Sequence, residues 1–134
     1  MFAGVNWLAV VVCVVVAIVV GFVWYSKPLF LKPWLAGIGK PPEFAQQARP
    51  INYVITIAAA FVEALFLAAL IGVMGSAGAA AGLQAGFLVW LGFVATTSAA
   101  NAAFGDRGWT VWGIEAGNHL VTLLLMGLVL TLMP

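Results

Sequence analysis

A chain of 134 residues in which 65% are hydrophobic and 7% are charged is not an ordinary soluble domain, because such domains are about 45–50% apolar and about 25% charged. A small domain keeps much of its surface in water and has no place to bury so large an apolar fraction. A membrane-spanning helix needs about 20 mostly apolar residues, so four spans would use most of the chain. The net charge of +1 gives no indication of a nucleic-acid partner.

The first apolar run predicts a membrane-spanning helix over about residues 7–24. A secretory signal peptide would have a basic n-region, a shorter apolar core and a small-residue cleavage site, and this run has none of them. Trp7 and the Trp24–Tyr25 pair are expected at the two membrane interfaces. We therefore expect a retained helix, in which the single cysteine, Cys13, is a structural residue.

Residues 25–50 form the one long connection, with five of the six prolines and four of the five basic residues. Proline at this density excludes a continuous helix. The mixture of Leu, Phe, Trp and Lys side chains predicts a segment in the headgroup layer of the membrane. A short helix is expected from Pro42 to Ala48, with proline in its first turn.

Three further spans are predicted, over about residues 51–73, 82–103 and 109–132. Glu63 lies near the middle of the second span, whose twelve Leu, Ile, Phe and Val residues favour insertion by roughly 4–7 kcal/mol in total. A central carboxylate opposes insertion by about 2.5–3.5 kcal/mol, so this span is expected to insert. The sequence thus predicts an all-α fold: one membrane domain over residues 1–134, a four-transmembrane-helix bundle with a proline-rich interfacial loop between its first two helices.

The basic residues predict the orientation of the bundle. Residues 25–50 and 104–108 connect helices on the same side of a four-span protein, and they hold all five Lys and Arg residues. The positive-inside rule assigns that side to the cytoplasm. We expect a multi-pass protein of the bacterial inner membrane, embedded in the lipid bilayer, with both termini periplasmic or extracellular.

Glycines four residues apart predict where the helices meet. Gly82 and Gly86 have this spacing in the third span, and Gly113 and Gly117 have it in the fourth. Small residues at this spacing let two helix backbones approach closely. We expect the third and fourth spans to pack as an antiparallel hairpin through these glycines, and the alternative is a homodimer through a glycine face.

Polar residues within the last three spans are candidates for one buried cluster: Glu63, Thr97, Ser98, Asn101, Glu115, Asn118 and His119. Glu115 and His119 share a helix face because they are four residues apart. An ionisable residue inside a membrane is a functional-site hypothesis, and a histidine beside a carboxylate can exchange protons with it. The cluster is therefore a proton relay or substrate contact, or else a structural hydrogen-bond network that fixes helix register.

Metal and cofactor chemistry is less favoured. Glu63, Glu115 and His119 would supply three ligands, the number that catalytic zinc sites use. However, the chain has one histidine, one apolar-flanked cysteine and no Glu-x-x-His pair of the di-iron type. Phosphate-binding loops and nucleophile–base motifs are also missing, so the sequence predicts no cofactor and favours a protein that is not an enzyme.

An ordered set of short motifs resembles a family of small bacterial four-helix integral membrane proteins known as a domain of unknown function. The motifs are Asn6-Trp7-Leu8-Ala9-Val10, Trp24-Tyr25-Ser26, Pro28-Leu29-Phe30, Trp90-Leu91-Gly92-Phe93 and Ala116-Gly117-Asn118-His119-Leu120-Val121. The resemblance covers nearly the whole chain. It implies the four-span topology and implies no activity.

Two functions from different classes fit these features. One is an oligomeric proton-linked transporter or channel that uses the Glu/His cluster, and it requires self-association because one four-helix copy is thin for a pathway. The alternative is a non-catalytic accessory or scaffold subunit that docks onto a membrane-protein partner through its aromatic and glycine-rich helix faces.

Overall fold

The computed structural model describes residues 2–134, and this part of the chain is helical without β-strands. The α-helices are α1 (Trp7–Trp24), α2 (Leu31–Ile38), α3 (Pro50–Met74), α4 (Ala79–Val89), α5 (Thr96–Phe104) and α6 (Trp109–Leu132). A 3₁₀-helix follows α2 at Pro42–Gln46, and a π-helical segment at Trp90–Ala95 joins α4 to α5 in one continuous helix. The all-α prediction is confirmed.

Four helices of the described chain are long and apolar enough to cross a membrane, namely α1, α3, the continuous helix Ala79–Phe104 and α6. Their start and stop signals are local. The Asn6 side chain caps α1 by accepting hydrogen bonds from the Leu8 and Ala9 N–H groups, which otherwise have no partner within the helix. The last residue of α3, Met74, is followed by Gly75. Gly75 has a left-handed backbone conformation with φ of 66°, which glycine adopts without steric strain. By length and composition, these are the helices of a membrane protein.

The long connection contains more helix than the sequence predicted. The helix expected from Pro42 to Ala48 is a shorter 3₁₀-helix, Pro42–Gln46, and α2 was not predicted. Pro33 is compatible with α2 because it lies in the first turn, where backbone N–H groups have no helical acceptor. The helix packs against α6 with Leu35 buried, so this part of the connection is folded onto the bundle.

The first and last helices run antiparallel along their full lengths. Hydrogen bonds link them at both ends and in the middle: Asn6 Nδ2 to Met133 O at 3.1 Å, Cys13 Sγ to Met126 O at 3.7 Å and Trp24 Nε1 to Ile114 O at 2.8 Å. α6 also contacts every other α-helix. It is therefore the central helix of the bundle.

The closest helix approach lies between α4 and α6. A Cβ atom on Gly82 or Gly86 would overlap the backbone of Gly127 or Leu123, respectively. Gly113 has no heavy atom near its missing side chain, and Gly117 faces the Trp24 indole instead. In a hairpin with a short connection, residues that face each other are separated from the connection by similar numbers of residues. Gly113 and Gly117 are too near the connection to face Gly82, which contacts Gly127 instead.

The basic residues mark one end of the bundle. We call it the basic end: it carries the connections 25–49 and 105–108, which hold all five Lys and Arg residues. The hydrophobic core lies farther from these connections and includes Ala9, Val10, Cys13, Ala64, Leu67, Ala85, Leu123 and Met126. The polar and apolar halves of α6 therefore occupy different levels of the bundle.

Candidate functional site

Three tryptophans hold α6 at one turn near the basic end. The indole Nε1 of Trp24, of Trp34 and of Trp90 donates to Ile114 O at 2.8 Å, to Glu115 Oε2 at 3.1 Å and to Ala116 O at 2.8 Å, respectively. These three acceptors belong to consecutive residues, which point in directions about 100° apart on a helix. α1, α2 and the π-helical segment therefore clamp α6 from different sides at the same level.

The π-helical segment, Trp90–Ala95, begins with one of these donors. Single π turns within α-helices are rare and are frequently found at functional sites. On the far side of the segment, Ser98 Oγ donates to Val94 O at 2.6 Å and accepts from Trp112 Nε1 at 3.0 Å. The π-helical segment thus lies between two residues, Trp90 and Ser98, that form indole hydrogen bonds with α6.

Glu115 is the charged centre of this region. Its Oε2 atom accepts from Arg107 Nη2 at 2.7 Å, in addition to the Trp34 indole. The tight turn before α6 positions the arginine: Asp106 adopts φ 54° and Gly108 adopts φ 87°, and Arg107 N–H donates to Ala102 O at 3.2 Å. Asp is one of the residues that accept the left-handed conformation most readily.

The solvent exposure of the Arg107–Glu115 ion pair determines how much the pair contributes to the stability of the fold. The side chains are 46% and 33% exposed, and pairs in such a setting contribute about 0–1 kcal/mol to stability. The other guanidinium N–H groups and the second carboxylate oxygen have no hydrogen-bond partner among residues 2–134. The pair therefore contributes little to folding and retains binding capacity for a ligand.

A cavity of about 420 Å³ adjoins this ion pair. Its lining comes from α5, α6, the residue after α1 and the turn before α6: Tyr25, Ser98, Asn101, Ala102, Arg107, Trp112, Glu115, Ala116 and His119. Burial raises the pKa of Tyr25 to about 12, and the negative charge of Glu115 acts in the same direction, against an opposing effect of Arg107. At neutral pH the Tyr25 hydroxyl is therefore a hydrogen-bond donor.

The structure brings four of the seven predicted polar residues to this cavity, namely Ser98, Asn101, Glu115 and His119. Thr97 is exposed and Asn118 is half-buried, and neither lines the cavity. Within the described chain, Asn118 Oδ1 is buried without a hydrogen-bond partner. Both lie next to a lining residue in sequence, but a helix turns about 100° per residue and directs them elsewhere.

Glu63 lies near the middle of α3 and does not line the cavity. The aromatic rings of Phe61 and Phe66, on either side of it in sequence, pack against Trp7 and Phe2, with centroids 6.4 and 5.3 Å apart. The lining of the cavity comes from α5, α6, Tyr25 and the turn before α6, and no residue of α3 contributes to it.

Several lining residues were not predicted as site residues. From the sequence, Tyr25 is expected to be an interfacial anchor and Arg107 a topological signal, and no role is predicted for Trp112. The sequence offered no signal for the Arg107–Glu115 pair, because helical side chains meet at a spacing of three or four residues and the turn before α6 positions Arg107. Trp34 was not identifiable either, because its contact depends on how α2 folds back.

The arrangement favours binding over bond-breaking chemistry. Ser98 uses its hydroxyl in contacts to Val94 and Trp112. Within residues 2–134, no group of three or more His, Cys, Asp and Glu side chains is placed to hold a metal ion. The lining offers a guanidinium, a carboxylate, an imidazole, an amide and a phenol, which together can bind a small polar solute.

Comparison with known proteins identifies a family for the chain but no individual relative. A family model described as protein of unknown function (DUF1761) matches residues 8–131, nearly the whole chain. This confirms the resemblance to a domain of unknown function. No curated protein and no solved structure matches the chain.

Proposed function

The chain belongs to the DUF1761 family, whose description assigns no activity, and we propose that it is a small proton-linked transport protein that works as a homo-oligomer. Its solute site is the cavity at the basic end. One observation carries the proposal: the half-exposed Arg107–Glu115 ion pair and His119 line the same cavity of about 420 Å³. This combines a solute-sized space, a pair of charges and a titratable imidazole.

The charges of the cavity indicate the class of solute. The formal charges of Arg107 and Glu115 cancel, and a neutral His119 adds none. A solute with zero net charge therefore leaves the charges of the cavity balanced. Because the two charged groups are 2.7 Å apart, the solute that fits best is a zwitterion whose ammonium and anionic groups are close together.

Proton coupling is assigned to His119, with Glu115 as its charged neighbour. Both lie on one face of α6, one helical turn apart, and both line the cavity. Histidine changes its charge between about pH 5 and 8 in ordinary surroundings. A proton on the imidazole alters the charge of the cavity, which changes its affinity for a solute.

Within residues 2–134, the polar cavity is confined to the basic end of one copy. Beyond His119, the second half of α6 packs against α4 at Gly82 and Gly86, and Leu123 and Met126 are fully buried in the core. In this half of the bundle, the buried polar side chains are Thr122 and Thr131, and the Thr131 hydroxyl donates to Gly127 O in its own helix. Transport by a chain of this size therefore requires assembly of several copies, and contacts between the copies complete the route.

The binding step is tested on the detergent-purified protein with three matched probes: leucine, its deaminated carboxylate and its decarboxylated amine. Leucine is expected to raise the melting temperature, and the two singly charged analogues are expected to have a smaller effect. Glu115→Gln is expected to weaken leucine binding at least about tenfold, since a charge-assisted contact contributes roughly 1.5–3 kcal/mol. Glu43→Gln, an exposed carboxylate in the 3₁₀-helix, is the control.

The transport step is tested in proteoliposomes that contain a pH-sensitive dye, with leucine added outside. The proposal expects leucine-dependent proton movement in the wild type and in Glu43→Gln, and its loss in Glu115→Gln and His119→Gln. Equal proton movement in all four proteins would contradict it. In mild-detergent pull-down, a stoichiometric foreign membrane protein in place of a homo-oligomer would favour the accessory-subunit function instead.

A further inference from the structure

Lys27 and Arg49 are cations of the basic end whose charges are not paired within the described chain. Both side chains are exposed, and neither forms an ion pair or a side-chain hydrogen bond among residues 2–134. The basic end has five Lys and Arg residues against three acidic residues, Glu43, Asp106 and Glu115, and its net charge is therefore +2 (5 − 3). An excess of positive charge at a membrane surface attracts anionic headgroups.

These two cations lie at the same gap between helices. The Phe22 and Tyr53 rings stack with their centroids 6.5 Å apart, which joins the last turn of α1 to the first turn of α3. Lys27 follows Phe22 by five residues, and Arg49 precedes Tyr53 by four. Their long side chains can therefore reach one anionic group placed between the end of α1 and the start of α3.

An apolar groove of about 530 Å³ lies between the same two helices. Its lining residues are Val11, Val14, Val54, Ile57, Ala58, Phe61 and Val62. On α3 the lining begins at Val54, directly after Tyr53, and it extends for eight residues, or about 12 Å of helix. One leaflet provides about 15 Å of hydrocarbon, half of the bilayer core. The groove thus starts beside the cations and has the depth of one leaflet.

We propose that this groove is a binding site for one anionic phospholipid. Its phosphate contacts Arg49, whose guanidinium matches two phosphate oxygens, and Lys27, which adds a point charge. One acyl chain of the lipid occupies the groove. Lipid tails are as apolar as the lining, so the chain gains little by entering. The charge of the headgroup therefore gives the preference for this site, and the groove fixes where the lipid lies.

The lining fits an acyl chain better than it fits another helix. Helices associate closely in lipid through small residues, as α4 and α6 do at Gly82 and Gly86. The groove has no glycine, a single alanine, and otherwise Val, Ile and Phe side chains. It also has no polar side chain that could bond to a neighbouring helix. A flexible chain with an anionic head matches both the groove and the two cations.

Photolabelling in proteoliposomes tests this site. The vesicles are made of phosphatidylcholine with a trace of phosphatidylglycerol that carries a photoreactive group in one acyl chain, and the comparison uses photoreactive phosphatidylcholine. Mass spectrometry of the labelled protein is expected to show roughly 25-fold more groove labelling by phosphatidylglycerol, since each of two charges contributes about fivefold. Val73, exposed at the far end of α3, is the reference position and is expected to be labelled equally by both lipids.

The two cations are tested by replacing each with a neutral amide. Arg49→Gln and Lys27→Gln are each expected to reduce the preference for phosphatidylglycerol about fivefold, the effect of removing one charge near an anionic headgroup. Lys32→Gln is the matched control. It removes an exposed cation of the same end, but from α2, which packs against α6, and is expected to leave the preference unchanged.

The groove is tested by filling it. Ala58 and Ala59 are both exposed, but consecutive helical residues point about 100° apart, and Ala58 is the one that lines the groove. Ala58→Phe is expected to reduce groove labelling by phosphatidylglycerol severalfold. Ala59→Phe adds the same ring outside the groove and is expected to have no effect.

Three results would overturn the inference. The first is equal groove labelling by the two lipids, and the second is an effect of Lys32→Gln as large as that of Arg49→Gln. The third is a groove that neither lipid labels while Val73 is labelled, which would show that a protein surface covers it.

The lipid site goes beyond the proposed transport function and stands apart from solute binding. Neither Arg49 nor Ala58 lines the cavity, so Arg49→Gln and Ala58→Phe are expected to bind leucine like the wild type in the melting-temperature assay. Loss of the lipid preference with intact leucine binding concerns the lipid site alone. Loss of leucine binding in Glu115→Gln with unchanged photolabelling concerns the solute site alone.

Discussion

At the basic end, α6 is surrounded by indole donors, an arginine and a cavity, whereas its second half lies against α4 with glycine between the two backbones. The first region is held by hydrogen bonds to Ile114, Glu115 and Ala116. The second is held by dispersion contacts at Gly82 and Gly86, which drive helix association in lipid. One helix thus combines a half that packs backbone to backbone against α4 with a half whose polar groups line a cavity.

The largest expected effect comes from filling the glycine contact. Gly86→Ala places a Cβ atom on the Leu123 carbonyl, which forces the two backbones apart and is expected to cost roughly 2–3 kcal/mol of unfolding free energy. Gly113→Ala meets no neighbouring atom and is expected to be neutral or to stabilise by up to about 1 kcal/mol. Reversible unfolding in mixed micelles measures both. Equal losses would show that the two glycine positions are not different in packing.

The indole clamp is tested next. Trp24→Phe removes the N–H donor to Ile114 O and the ring atoms that contact Gly117. The free energy of unfolding is therefore expected to fall by about 1–2 kcal/mol in the same assay. Trp109→Phe is the matched control, because Trp109 is 62% exposed. If the control loses as much stability as Trp24→Phe, the hydrogen bond is not the stabilising element.

A smaller and more local effect is expected at α2. Trp34→Phe keeps an aromatic ring against Tyr25 but removes the donor to Glu115, so α2 should leave the bundle more often. Amide hydrogen exchange over Leu31–Ile38 is expected to become roughly fivefold faster, the equivalent of about 1 kcal/mol. Lys32→Ala changes an exposed side chain of the same helix and should leave the exchange rates unchanged.

The smallest effect is the contribution of Glu115 to the pKa of Tyr25. This pKa is raised from 10.0 to about 12, by burial first and by Glu115 second. The stability that results is present below pH 10 and is lost as pH rises from 10 to 12, because the unfolded state releases this proton first. Glu115→Gln removes a negative charge and is expected to lower the pKa of Tyr25. Phenolate absorbance, with Tyr25→Phe as the reference, measures the shift, and an increase would contradict the assigned cause.

Much of the fold and part of the site could be predicted from the sequence, since they depend on local properties. The four apolar helices follow from runs of apolar residues, and the shared face of Glu115 and His119 follows from the helical period. Ser98 and Asn101 reach the same cavity because a short connection pairs the ends of two antiparallel helices. Each of these features is set within one helix or one hairpin.

Tertiary structure alone decided the remaining features. Lipid provides no hydrophobic force between helices, so their relative levels depend on side-chain packing that hydropathy does not record. Glu63 is not among the residues that line the cavity, and folding of α2 onto α6 brought Trp34 to Glu115. The amino-acid sequence by itself therefore determined the class of protein and the helices, and contacts between distant segments determined which polar residues form the site.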